Sequence, residues 1–212
     1  GIHAMRLMVL AMLAGLAARA AGTSVAISAN GTFSDRVLDG DARVIGEGLA
    51  LQARGGVDLA GNAVRTMAII AEARDPERLF PGIRLEEAKL TGTLDGPFRQ
   101  LSLPHKLTIA RLVSGATRVE ALSQTGIAGW DGARLTLPLD ASAARIVTGD
   151  PAFDARLILP RVKGTVALLG SQISGDSLSL AVPGVAAPLA LRGDTARGRY
   201  GLSGPIAARG VA

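Results

Sequence analysis

Lys89–Leu112 reads KLTGTLDGPFRQLSLPHKLTIARL. Apolar residues return at every second position: Leu90 and Leu94, then Leu101 and Leu103, then Leu107 and Ile109. A period of two is the strand period, because successive side chains of an extended chain point to opposite faces. Asp95-Gly96-Pro97, between two of these runs, is turn chemistry. The Gly-Thr phrase recurs in SANGTF at Ser28–Phe33, KLTGTL at Lys89–Leu94 and RVKGTV at Arg161–Val166. The stretch holds no nucleophile–base pair, no metal cluster and no phosphate loop.

Outward from it the same alternation continues. Val25, Ile27, Ala29 and Phe33 share one parity; Leu49, Leu51, Ala53, Val57 and Leu59 face away from Gln52, Arg54 and Asp58. Leu135, Leu137, Leu139, Ala141 and Ala143 oppose Arg134, Thr136, Asp140 and Ser142, and Val162, Val166 and Leu168 oppose Arg161, Lys163 and Thr165. Leu178, Leu180 and Val182 follow, then Leu189 and Leu191, then Tyr200 and Leu202. Turn signals separate the runs at Leu38-Asp39-Gly40, Gly46-Glu47-Gly48, Gly61-Asn62, Asp131-Gly132, Gly149-Asp150-Pro151, Gly175-Asp176 and Gly193-Asp194. That rhythm predicts antiparallel strands joined in sequence, about ten of them, one face apolar and one polar. In ARDPERLFPG, Asp75 caps, Pro76 suits a first helical position and Pro81-Gly82 stops it, so one helical turn is expected there.

The segment from Met5 to Ala21 is apolar on almost all sides and is bounded by Gly22, which predicts a helix. Its uninterrupted core, Leu7–Ala18, is shorter than the roughly 20 residues a spanning helix needs. The division expected is therefore a helical segment over residues 1–22 and an antiparallel β domain over residues 23–212.

Hydrophobic residues make up 48% of the 212, yet aromatics only 3%, so the apolar surface is built of Ala, Val, Leu and Ile. One Trp and one Tyr cannot form the aromatic girdles of a transmembrane barrel. A sandwich or a curled open sheet with an apolar concave side remains. Net charge is +5, but the arginines are scattered and stacking aromatics are scarce, which argues against a nucleic-acid partner. Cysteine is absent, so no disulfide and no thiolate metal site exists.

Candidate chemistry is thin. His105, in Leu103-Pro104-His105-Lys106-Leu107, is expected at a surface or strand edge and lacks a partner for metal or nucleophilic work. Glu86-Glu87 points to a bulge or turn, and Asp39, Asp41 and Asp131 to hairpins, with no Ca²⁺-loop spacing. Trp130 reads as a hairpin plug or an anchor at a lipid interface. No catalytic residue, metal ligand or cofactor is expected, and the chain is not read as an enzyme.

Three phrases carry a resemblance: Gly92-Thr93-Leu94-Asp95-Gly96, Leu101-Ser102-Leu103 and Leu107-Thr108-Ile109-Ala110-Arg111-Leu112. With the rest of Leu90–Ile146 they resemble the repeating strands of the AsmA-like superfamily, of TamB and YdbH type. The helix-then-strand stretch Met12–Gly40 is similar as well. The resemblance implies a mainly β fold: an elongated, curved antiparallel meander sheet, an open β-groove, with one N-terminal apolar helix. It implies a piece of a periplasm-spanning protein, anchored in the inner membrane of a Gram-negative cell, that shields phospholipid acyl chains on their way to the outer membrane. Other segments of the same bridge, or envelope proteins, would be its partners. On that reading the groove is lined by Val25, Ile27, Leu49, Leu51, Leu107, Ile109, Leu135, Leu137, Leu139, Val166 and Leu168. The alternative is a structural or adhesive module, a β-solenoid or sandwich of an envelope or secreted protein, although the Gly-Thr phrases are unevenly spaced for a solenoid.

Overall fold

Alternating β-branched and aliphatic residues form strands wherever their polar neighbours can stay in water. The computed structural model describes residues 25–204 except residues 80, 81, 195 and 198. The expected helix over residues 5–21 lies outside them. The strands are β1 (Val25–Ser34), β2 (Val37–Gly46), β3 (Leu49–Asp58), β4 (Ala63–Ala73), β5 (Ile83–Glu86), β6 (Lys89–Pro97) and β7 (Leu101–Ser114). They continue as β8 (Thr117–Trp130), β9 (Arg134–Ser142), β10 (Arg145–Val147), β11 (Arg161–Leu169), β12 (Gln172–Val182), β13 (Val185–Asp194) and β14 (Arg199–Ser203). Two helical turns interrupt them, α1 (Pro76–Leu79) and α2 (Pro151–Asp154).

All of these strands belong to one antiparallel sheet in the order β1-β2-β3-β4-β6-β7-β8-β9-β11-β12-β13-β14. The short β5 and β10 extend it along one edge, against the far ends of β7 and β8. The end strands β1 and β14 do not pair with each other, so the sheet is open. Elements in substantial contact are ladder neighbours, or a helical turn against its adjoining strand, so among the described residues no second layer covers the sheet. None of these residues belongs to a helix long and apolar enough to cross a membrane.

Several turn signals fall inside strands. Leu38-Asp39-Gly40 lies within β2, and the hairpin closes instead at Asp35-Arg36, both with positive φ (49° and 68°), as a tight two-residue turn requires. Asp95-Gly96-Pro97 ends β6 rather than forming its turn. Gly175-Asp176 is a register shift within β12, where the ladder to β13 slips between Gly175 and Leu178. The expected helical turn after Asp75 forms. A second one, α2, follows the same Asp-Pro signal: the Asp150 side chain accepts from the N–H of Ala152.

Glycines close on the carbonyl oxygens of prolines in neighbouring strands. A Cβ on Gly92 would sit 2.7 Å from the carbonyl oxygen of Pro104, and one on Gly126 the same distance from that of Pro138. A Cβ on Gly204 would sit 2.5 Å from the oxygen of Pro188. Proline has no N–H to give the ladder, and glycine lets the neighbouring backbone close in. The β6–β7 and β8–β9 ladders are interrupted at these places, between Gly92 and Asp95 and between Gln124 and Gly129.

Candidate functional site

Directly opposed residues of an antiparallel pair share a face of the sheet. One row can therefore be followed across it: Ile27 opposes Val44, which opposes Leu51, then Ala71, Leu90, Leu107 and Gln124. It continues through Ala141, Val162, Leu180 and Ala187. Every position from β1 to β13 is apolar except Gln124. Positions two residues to either side on each strand carry no Asp, Glu, Lys or Arg.

The residues expected to line a groove meet on this face. Ile27, Leu51 and Leu107 lie in the row, and Val25, Leu49, Ile109 and Leu139 are one same-face step from it. Leu137 opposes Val166 and Leu135 opposes Leu168, further along the same faces of β9 and β11. Ile109 and Val166 are buried, at 6% and 7% exposure, and Leu135 is exposed. Ile27, Leu49, Leu51, Leu107, Leu137, Leu139 and Leu168 are half-buried. That is neither the closure of a core nor the exposure of a surface.

Two polar residues on this face escaped the sequence reading. Gln124 is buried at 5%. Its Nε2 donates to the carbonyls of Pro138 (2.9 Å) and Thr125 (3.0 Å), while its Oε1 accepts from the N–H of Asp140 (3.0 Å). The side chain thus stitches β8 to β9 where Pro138 cannot, and its burial leaves nothing unpaired. His105 is not at a strand edge: it stands mid-way along β7 between Gly92 and Gly126, half-buried on the apolar face. Its Nδ1 lies 3.1 Å from the carbonyl oxygen of Leu103, which can only accept, so Nδ1 carries the hydrogen in this contact. The glycines on both sides make room for the ring. The available signal was proline inside an alternating run, in Leu103-Pro104-His105 and Leu137-Pro138-Leu139.

The opposite face carries the charges. Arg161 grips Asp140 through Nε (2.9 Å) and Nη2 (2.8 Å to the nearer oxygen), Lys89 lies 3.5 Å from Glu72, and Arg192 pairs with Asp176. The carboxylates held below their ordinary range belong to turns. Asp58 accepts from the Gly61 N–H and pairs with Arg65; Asp131 accepts from the N–H groups of Arg134 and Ala133. Asp154 accepts from the N–H and the hydroxyl of Thr148 and from the N–H of Gly149. Among the described residues no three His, Asp or Glu side chains gather as a metal site would need. A depression of about 490 Å³, lined by Ala26, Ile45, Gly46, Glu47 and Arg74, opens near the β2–β3 turn.

Compared with protein families, curated proteins and solved structures, the chain has no match in any of the three.

Proposed function

We propose that the sheet is a trough for lipid acyl chains: a segment of an AsmA-like, envelope-spanning protein in which the apolar face lowers the barrier to moving a phospholipid between membranes. The observation that supports this most is the row from Ile27 to Ala187, apolar at every position but Gln124. On this reading the layer bends toward the face it buries better. Val44 is 2% exposed and its neighbour Ile45, on the opposite face, 37%. On this reading the Gly–Pro contacts and the ladder gaps beside them bend the strands near their middles, where the floor of a trough would lie.

The physics suits such a passage. Exposing a buried methylene to water costs about 0.8 kcal/mol, so a tail of about 16 carbons faces a barrier on the order of 10 kcal/mol on leaving a bilayer. An aliphatic wall offsets that along its length, and a central band without Asp, Glu, Lys or Arg offers no such ion to desolvate. Arg65, Arg111, Arg118, Arg161 and Arg192 are engaged by carboxylates and so are not free to meet lipid phosphates. Head groups on this reading stay in water at the open side. A structural or adhesive β-solenoid is less well supported, because its coils stack strands in parallel and every ladder here is antiparallel.

The test is native mass spectrometry of the purified protein together with transfer of a fluorescent phospholipid between vesicles. Bound lipid and transfer are expected. Leu137→Asp, which sets a carboxylate on the apolar face, is expected to abolish transfer with the circular-dichroism strand signal retained. A protein that carries no lipid and moves none refutes the proposal.

A further inference from the structure

The segment between β10 and β11 is built rigidly yet presents apolar side chains to water. Asp150 caps α2, Asp154 ties the loop back to Thr148 and Gly149, and the N–H of Leu159 bonds the carbonyl of Ala144. Leu159 is held at φ 48°, a conformation that non-glycine residues rarely adopt. The outcome is exposure: Phe153 at 44%, Ile158 at 38% and Leu159 at 67%. Leu159 stands two residues before β11, whose start faces the end of β12, so the β12–β13 turn with Val185, 57% exposed, adjoins it on the same edge. A fixed loop that keeps such a cluster in solvent marks a contact surface.

The charges around it select the partner. Along this edge the cross-strand row Glu86–Arg111–Glu120–Arg145 sets two glutamates among arginines. Arg111 takes Glu86 (3.3 Å) and Arg118 takes Glu120 (2.9 Å). Arg84 and Arg156, both exposed, have no ion pair among the described residues, and Arg145, exposed as well, is within reach of the Asp154 charge without a salt bridge to it. The nearby Asp150 and Asp154 spend their oxygens on backbone N–H groups and a hydroxyl. Aliphatic and aromatic side chains ringed by spare guanidinium groups match the boundary between acyl chains and anionic head groups. We propose that this edge docks the protein on an anionic phospholipid surface, inserting Phe153 and Leu159 with Arg145 and Arg156 at the phosphates. The inference is separate from the trough, since an edge can bind a bilayer whether or not the face carries a tail.

Sedimentation of the full chain with phosphatidylcholine vesicles, with and without phosphatidylglycerol, tests it. Binding to the anionic vesicles is expected, weakening as salt rises. Phe153→Glu/Leu159→Glu and, separately, Arg145→Glu/Arg156→Glu are expected to reduce it at least tenfold. These positions are exposed, and circular dichroism checks that the strands persist. Native mass spectrometry of the same variants keeps the two readings apart: lipid bound in the face is expected to remain when docking is lost. Wild-type protein that ignores anionic vesicles, or a Phe153→Glu/Leu159→Glu variant that binds them unchanged, overturns the proposal. Self-association through the patch without vesicle binding overturns it in favour of a second copy.

Discussion

Val44 and Ile45 are neighbours on one strand, alike in chemistry and unlike in surroundings, at 2% and 37% exposure. The rows they belong to repeat the contrast across the molecule. From Val44 the row runs through Leu51, Ala71, Leu90 and Leu107; from Ile45 it runs through Ala50, Glu72, Lys89, Thr108 and Ser123. The difference teaches that one layer presents two unequal faces, which is what bending toward the apolar face would give.

The sharpest break of that contrast is at a close backbone approach. Gly164 has φ 137° on the apolar face, and a Cβ there would lie 2.5 Å from the Ser177 carbonyl oxygen and 2.9 Å from Leu178 Cα. Gly164→Val is expected to destabilise by about 3 kcal/mol or more, through strain and overpacking together. Gly129→Ala on β8, where a Cβ meets nothing within 4 Å, is expected to stay within about 0.5 kcal/mol of wild type. Urea unfolding of the two compares them, and equal stabilities would remove the close approach from the account.

Val44→Ala against Ile45→Ala comes next. Loss of buried methyl groups predicts about 2 kcal/mol for the first and less than about 1 kcal/mol for the second. A reversed order in chemical denaturation would mean that the layer bends the other way.

The smallest effect is local to the rim. Asp154 is held below its ordinary value of 3.8 by the Thr148 N–H and hydroxyl. A depressed carboxylate stabilises the loop above its unfolded pKa, and that contribution disappears as pH falls through the folded pKa. Hydrogen exchange at Thr148 and Gly149, corrected for intrinsic rates, is therefore expected to stay slow as pH drops toward 3.8 and to quicken only below it. Asp154→Asn should abolish that dependence while leaving the strands untouched.

Strand parity was legible throughout. Leu49, Leu51, Leu107, Leu135, Leu137, Leu139, Val166 and Leu168 share a face because the ladders joining them keep register there, the one-residue shifts of β3–β4 and β4–β6 lying further along those strands. Turns were legible only where chain reversal and turn chemistry coincide, as at Asp131-Gly132. Gly40, Gly96 and Gly175 resemble turn residues yet serve close approach or a bulge, and one chain segment cannot distinguish these uses. His105 and Gln124 were misjudged or missed because polarity alone suggests solvent. What places them on the apolar face is a gap opened by glycines or prolines on neighbouring strands.

Residue order settled which side chains stand together, since alternation along an extended chain is a property of consecutive bonds. The open edge-to-edge sheet, the Gln124 stitch and the apolar corner at Leu159 were decided by folding. Each depends on which backbone lies alongside which, and on twist and kinks accumulated over strands far apart in the chain.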